Sequence, residues 1–391
     1  MSDLCREFGI SRKTGYKLWE RYQRLGPIGL FDQSRQAERI RHRLPAEMAA
    51  LLIEARKMHP SWGPRKLRAW LSDKHPELKL PAPSTIGGLL QRQGLVTRRR
   101  RRHGTPPYGA ELQKAEAAHD VWCADFKGQF RLGNGRYCYP LTITDRFSRM
   151  ILACEALERP EGEPVQAIFE VVFREHGMPR RIRTDNGAPF ASTGLAGLSR
   201  LAAWWLRLGI MPERIEPAHP EQNGQHERMH LVLKQETTRP AATTMLQQQE
   251  RFDRFVELYN QERPHEALGQ VPPVRYFRPS PRPFLDPLPE PIYPLHDHVV
   301  TVGRCGHVRL PRTPQVFLSA ALAGQRVGLR ELDNDQWLVT FMTLDLGRLD
   351  TRAGRFHPAD LGRLGADRPD NAEAPSHAPA KSSEVSPMLP V

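Results

Sequence analysis

Three acidic residues occupy settings in which a carboxylate needs a chemical reason. Asp125 lies midway along VWCADFKGQF, which alternates as a strand does, with Cys123 and Lys127 as its same-face neighbours and apolar residues on the other face. Asp185 follows the short run RIRT and opens TDNG, at a strand end, where mixed α/β sheets offer side chains to ligands. Glu227 stands on a long helix after the loop HPEQNG. Taken singly, Asp125 also fits a local cap and TDNG a plain turn. Three carboxylates converging from two strands and a helix make a pocket of like charge, which would raise one pKa strongly unless cations neutralise it. Mg²⁺ or Mn²⁺ would do so. Two such ions about 3.5 to 4 Å apart can activate a nucleophile and stabilise a leaving oxygen in phosphoryl transfer.

Glu227 also falls within HERMH, residues 226–230, the H-E-x-x-H pattern of zinc metalloproteases. That chemistry needs His226 and His230 as zinc ligands, Glu227 as general base and a third ligand downstream, for which Glu250 and Glu257 are candidates. It leaves Asp125, Asp185 and the basic N-terminal region unexplained, so phosphoryl transfer is the preferred reading. His226 and His230 are then expected on a helix face near DNA or at ordinary surface positions.

The elements that would position these residues follow an alternating order. After VWCADFKGQF, an Asn134-Gly135 turn leads into YCYPLTITD and MILACEAL, giving three antiparallel strands. A helix over residues 164–176, the strand RIRT, a Trp-rich helix over 195–208, the strand ERIEP and a helix through Glu236 complete the order βββαβαβα. This is the order of a ribonuclease H-like core: a mixed five-stranded sheet with helices on both faces. A further helix is predicted over 247–261.

The flanks point to DNA. The chain has 391 residues and a formal charge of +13, which favours a polyanionic partner, and no basic amphipathic helix with a strong apolar face favours a membrane instead. The segment LCREFGISRKTGYKLWERYQRLG has the spacing of a helix-turn-helix, with Ser11 as cap and Arg12, Lys13, Tyr16 and Lys17 on the second helix. Its first helix has little before Leu4, so the unit looks clipped. A second unit follows, with WGPRKLRAWL as one helix and Ser84 capping another that Gly94 stops. Arg98, Arg99, Arg100, Arg101 and Arg102 open a linker suited to phosphates. The expected division is therefore helix-turn-helix units at 1–35 and 44–97, a basic linker at 98–118, a catalytic core at 119–280, a small β-barrel at 295–352 and a disordered tail at 353–391. The five cysteines show no C-x-x-C pair and are expected as small core residues. No apolar run long enough to span a membrane and no signal peptide is visible, so a cytoplasmic, nucleoid-associated protein is expected.

Asp125 in WCADF, Asp185 in TDNG and Glu227 in HPEQNGQHER resemble the Asp-Asp-Glu triad of bacterial insertion-sequence transposases related to retroviral integrases. YNQERPHEALG, with Tyr259, Asn260, Arg263, Pro264 and His265, resembles the segment that follows the triad in these transposases. The resemblance covers nearly the whole chain, though the His/Cys zinc module of retroviral integrases is not visible. It implies Asp125, Asp185 and Glu227 as catalytic metal ligands for two Mg²⁺ or Mn²⁺ ions. It also implies 3′-end cleavage at the ends of a mobile element, strand transfer into target DNA, and a homo-oligomer on paired ends. Two glutamates compete for the third position: 35 residues separate Asp185 from Glu221, the usual family count, and 41 separate it from Glu227. Glu227 is preferred because the family's Glu follows a P-x-x-x-G phrase inside a helix, leaving Glu221 to cap the helix start. On the same helix face, His230 and Lys234 are expected towards DNA and Leu231 in packing; the related integrases carry a lysine at an offset like that of Lys234 which contacts viral-end DNA. The competing functional class is an element-derived DNA-binding regulator that has lost catalysis.

Overall fold

The computed structural model describes residues 1–32, 44–96, 112, 114–216, 219–310, 313–333 and 335–359. It contains two compact units, Met1–Glu54 and Ala55–Val391. In the first, α1 (Ser2–Glu7) turns at Gly9 into α2 (Arg12–Leu25). The Ser11 hydroxyl accepts from Thr14 N–H at 3.1 Å, the expected N-cap, which satisfies one of the orphan donors of the helix start. Helix α3 (Ala46–Met58) spans the boundary.

The second unit continues with α4 (Pro64–Lys74) and α5 (Pro83–Arg92). Ser84 does not cap α5. Ala82 occupies that position and Pro83 the first helical turn, where its missing N–H costs nothing. Gly94 does end the helix, at φ +68°.

The sheet that follows comprises β1 (Val121–Phe126), β2 (Phe130–Arg131), β3 (Tyr137–Asp145), β4 (Ile151–Leu157), β5 (Arg181–Thr184) and β6 (Met211–Arg214). Strand β3 pairs antiparallel with both β1 and β4, while β1, β5 and β6 run parallel. The expected single strand over VWCADFKGQF breaks at Gly128, φ +57°, so the sheet has six strands with β2 a two-residue addition beside β3. The β4-β3-β1-β5-β6 order, with helices on both faces, is the ribonuclease H-like arrangement.

Strand alternation explains the two faces. Trp122, Ala124, Leu141 and Ile143 point to one side, where α6 (Gly162–His176) and α7 (Arg200–Arg207) bury Phe169, Phe173, Leu201 and Trp205. Helix α7 is shorter than predicted, because a 3-10 turn at Leu195–Gly197 and a Ser199 cap precede it. On the other side Cys138, Ile151 and Cys154 meet Met229 and Leu233 of α8 (Gly224–Thr237) and Phe252, Phe255 and Tyr259 of α9 (Met245–Gln261). Four cysteines are buried as expected, but Cys305 is exposed.

Beyond the core, β7 (His298–Thr301), β8 (His307–Val308), β9 (Val316–Phe317), β10 (Arg326–Asp333), β11 (Gln336–Phe341), β12 (Leu344–Asp350) and β13 (Arg355–Pro358) follow. The order β13-β12-β11-β10-β7 is an antiparallel sheet, with β8-β9 a separate ribbon. Among the described residues no pairing joins β13 to β7, so the small β-barrel expected at 295–352 is not shown; the register shifts between Glu331 and Asp333 and between Val339 and Thr340.

Candidate active site

Strands β1 and β5 bring two of the three carboxylates together. Their parallel register sets Val121 opposite Arg181 and Cys123 opposite Arg183; continued by one pleat, it sets Asp125 level with Asp185, the first residue past β5. The TDNG turn is tied down on both sides: Gly187 N–H donates to Asp185 Oδ1 at 3.1 Å, and Asn186 Nδ2 donates to the Ile215 carbonyl beyond β6 at 3.0 Å. Glu227 lies in the first turn of α8, exposed, where the helix dipole favours a negative charge. Glu221 lies in the 3-10 turn Pro220–Asn223 ahead of it; whether its side chain caps the helix lies outside the described residues.

Electrostatics register the convergence. Burial pushes the Asp125 carboxyl up to about 7, the charge of Asp185 adds to the rise, and Glu227 contributes further in the same direction. Lys127 and the backbone at Phe126 pull the other way and lose. Asp185 and Glu227 thus act on Asp125 through their charge, while among the described residues the group whose ligand atoms lie within 4.8 Å of one another is Asp125, His226 and His230.

Behind Asp125 runs a polar seam between α8 and β3. Both histidines of HERMH are buried, so the expected surface position of His226 and the DNA-facing position of His230 are corrected. Helical spacing places them one turn apart on the face of α8 that packs against the sheet, while Leu231, expected in packing, is 51% exposed. The Thr142 hydroxyl lies 2.7 Å from Nε2 of both imidazoles, and Thr144 Oγ1 lies 2.9 Å from His226 Nδ1. Burial lowers the His226 pKa to about 3. The His230 pKa falls to about 2, through burial first and then the neighbouring His226 and Lys127. Both rings are therefore neutral. Asp125, His226 and His230 together form a group whose ligand atoms lie within 4.8 Å of one another. The threonines escaped the sequence reading, although two of them on one face of an otherwise apolar strand, in LTIT, marked a polar partner.

The residues expected to meet DNA are distributed elsewhere. Arg12, Lys13, Tyr16 and Lys17 are exposed on α2, and Lys234 is exposed on α8 two turns beyond Glu227. Arg98 to Arg102 lie outside the described residues. The phrase YNQERPHEALG forms a brace for α4. Trp70 Nε1 donates to Glu262 Oε2 at 2.9 Å, Lys74 pairs with Glu262 at 3.3 Å and Arg65 with Glu266 at 2.8 Å. Arg263 pairs with Glu236 of α8 at 3.0 Å, and Ser61 donates to the same carboxylate. Asn260 binds both polar groups of the Ile151 backbone, at 2.9 and 2.8 Å, pinning α9 to β4.

Comparison with known proteins agrees with this geometry. Residues 115–220 and 208–273 each match an integrase core domain family, and residues 14–90 match a homeodomain-like domain. The chain is 29% identical over 233 residues to an uncharacterized 39.2 kDa protein of insertion element IS476 from Xanthomonas euvesicatoria, covering 59% of this chain and 64% of that one. It is 28% identical, over 59% of its own length and 80% of the relative's, to an uncharacterized 31.7 kDa protein of insertion element IS407 from Burkholderia multivorans. Among solved structures it resembles the HTLV-2 integrase catalytic core domain in complex with magnesium, at 14% identity and a TM-score of 0.34, over 42% of this chain and all of that one. With the strand order described above, these matches assign residues 115–273 to an integrase core domain, preceded by a homeodomain-like match, in a chain similar to proteins of insertion elements.

Proposed function

We propose that the protein is a DNA transposase that cleaves the 3′ ends of a mobile element and joins them to target DNA. The observation that carries the reading is the β1–β5 register that, continued by one pleat, sets Asp125 level with Asp185 within residues matching an integrase core domain. Asp125, Asp185 and Glu227 would hold two Mg²⁺ or Mn²⁺ ions, which when bound supply Lewis acidity at the scissile phosphate. The chain's own contribution is placement. The register of β1 with β5 supports pairing Asp125 with Asp185, Glu227 in the first turn of α8 would be the third ligand, and the Asn186 tie holds the TDNG turn. The helical regions of 1–35 and 44–97 read element ends, while Arg98–Arg102 and Lys234 hold phosphates. A homo-oligomer would act on paired ends. No helix among the described residues is long and apolar enough to cross a membrane.

The test is cleavage of DNA carrying the element ends in Mn²⁺. Asp125→Asn, Asp185→Asn and Glu227→Gln each abolish cleavage and joining while DNA binding persists, because each removes ligand charge with little change in shape. Glu221→Gln keeps activity. A wild-type chain that binds the ends but never nicks them would instead be a regulator that has lost catalysis. An inactive Glu221→Gln beside an active Glu227→Gln would reassign the third carboxylate.

A further inference from the structure

With the Thr142 hydroxyl donating to the Asp125 carbonyl, the hydrogen bonds of the polar seam behind Asp125 close in one way. Thr142 Oγ1 donates its single proton to the Asp125 carbonyl at 3.1 Å. Its two lone pairs then accept from the imidazoles 2.7 Å away, so Nε2 carries the proton on both His226 and His230. In a neutral ring the other nitrogen is then a bare acceptor. For His226 that nitrogen, Nδ1, accepts from the Thr144 hydroxyl at 2.9 Å, and the ring has no donor capacity left over. For His230 the bare Nδ1 faces Asp125 Oδ2 at 3.8 Å, too far for a hydrogen bond.

Two lone-pair atoms thus oppose each other across a gap, one of them on a carboxylate of the catalytic triad. A divalent ion would be held between these two atoms after a small closing of the gap. Thr142 stands where the outer-shell partner of a metal-bound histidine stands, fixing tautomer and ring orientation. His226 lies in the same cluster, but both its nitrogens are occupied by threonine hydroxyls, so its part is to hold α8 against β3.

We propose that His230 is a metal ligand through Nδ1, completing with Asp125 the coordination of one of the active-site cations, with Thr142 as its orienting partner. The proposal rests on the metal-dependent reading of the site and adds to it a neutral nitrogen donor. Imidazole suits later first-row ions better than Mg²⁺, so the site should prefer Co²⁺ to Mg²⁺ more strongly than an all-carboxylate site would.

The experiment is pulsed electron paramagnetic resonance on the full chain loaded with Mn²⁺, without DNA. A nitrogen coupling from a directly bound imidazole is expected in the wild type, and labelling histidine with ¹⁵N should shift it, a result that needs no variant. His230→Gln should lose the coupling and weaken Mn²⁺ binding about tenfold. His226→Gln should keep the coupling, and circular dichroism checks that each variant folds. Bound Mn²⁺ without nitrogen coupling in the wild type, or coupling that survives His230→Gln, overturns the ligand assignment and leaves the carboxylate reading intact. Coupling in a protein that never cleaves element ends would instead sink the transposase reading and leave the ligand standing.

Discussion

The Arg183 guanidinium meets the Glu213 carboxylate at 2.6 Å across β5 and β6, with both side chains only 1% exposed. The pair lies two residues before Asp185, under the strand end that presents it. A buried pair of this kind is costly to break and cheap to replace whole. Arg183→Met should therefore lower stability by about 3–5 kcal/mol, and Arg183→Met with Glu213→Leu should recover much of that loss. Denaturant midpoints of the three proteins decide it; equal losses in the single and double variants would contradict a pair whose cost is the stranded charge.

In the metal-free protein the seam makes stability depend on pH in two opposing ways. Burial and the neighbouring carboxylates hold the Asp125 pKa at about 7 in the folded chain against an ordinary 3.8, so the native state holds the extra proton and stability from this group rises as pH falls from about 7 to 4. His226 and His230, at about 3 and 2 against 6.5, leave the extra protons on the unfolded chain, so they lower stability as pH falls below about 6.5. Asp125→Asn removes the compensating group. With chelator present, it should be more stable than wild type at pH 8 and lose stability more steeply between pH 6.5 and 4. Parallel curves for the two proteins would show that Asp125 is not perturbed.

Trp62 is 1% exposed, stacks on His59 at 3.9 Å and lies under the Arg263 guanidinium at 5.9 Å. Truncation to Ala should cost about 3–5 kcal/mol. By the same packing, a chain that begins after residue 96 should melt well below one that begins at residue 44, because the first uncovers the Glu262–Glu266 brace. Equal melting temperatures would mean that α4 contributes nothing to the core.

Lys234→Glu should impair binding and joining of element ends far more than Lys114→Glu, since Lys234 lies two turns, about 10.5 Å, along α8 from Glu227. Competition binding with labelled end DNA at two salt concentrations measures this, and small, matching effects at both positions would return Lys234 to ordinary solvated surface.

Much of this was legible beforehand for a physical reason. Trp122 and Ala124 alternate with Cys123 and Asp125, and period-2 alternation in a strand assigns faces without any tertiary knowledge. The packing side of α8 was illegible because it is polar. Hydrophobic periodicity marks Met229 and Leu233 as buried but gives no warning that His226 and His230 are too, since their partners are hydroxyls on a strand about 80 residues earlier in the chain. Leu231, apolar and exposed, misled in the opposite sense. The α4 brace was hidden for the same reason: glutamates read as solvated until Trp70, Lys74 and Arg65 are brought to them.

Helix α8 carries Glu227 in its first turn and Glu236 in its last, and the far end is held by Ser61 and Arg263. Nine residues at 1.5 Å each make a lever arm of about 13.5 Å, so a tilt of about 5° about the Glu236 end would displace Glu227 by about 1 Å. A shift of that size is enough to cost a reaction about two orders of magnitude in rate. If Glu227 holds metal as proposed, its aim is set in part at the opposite end of its helix, by Ser61 and Arg263.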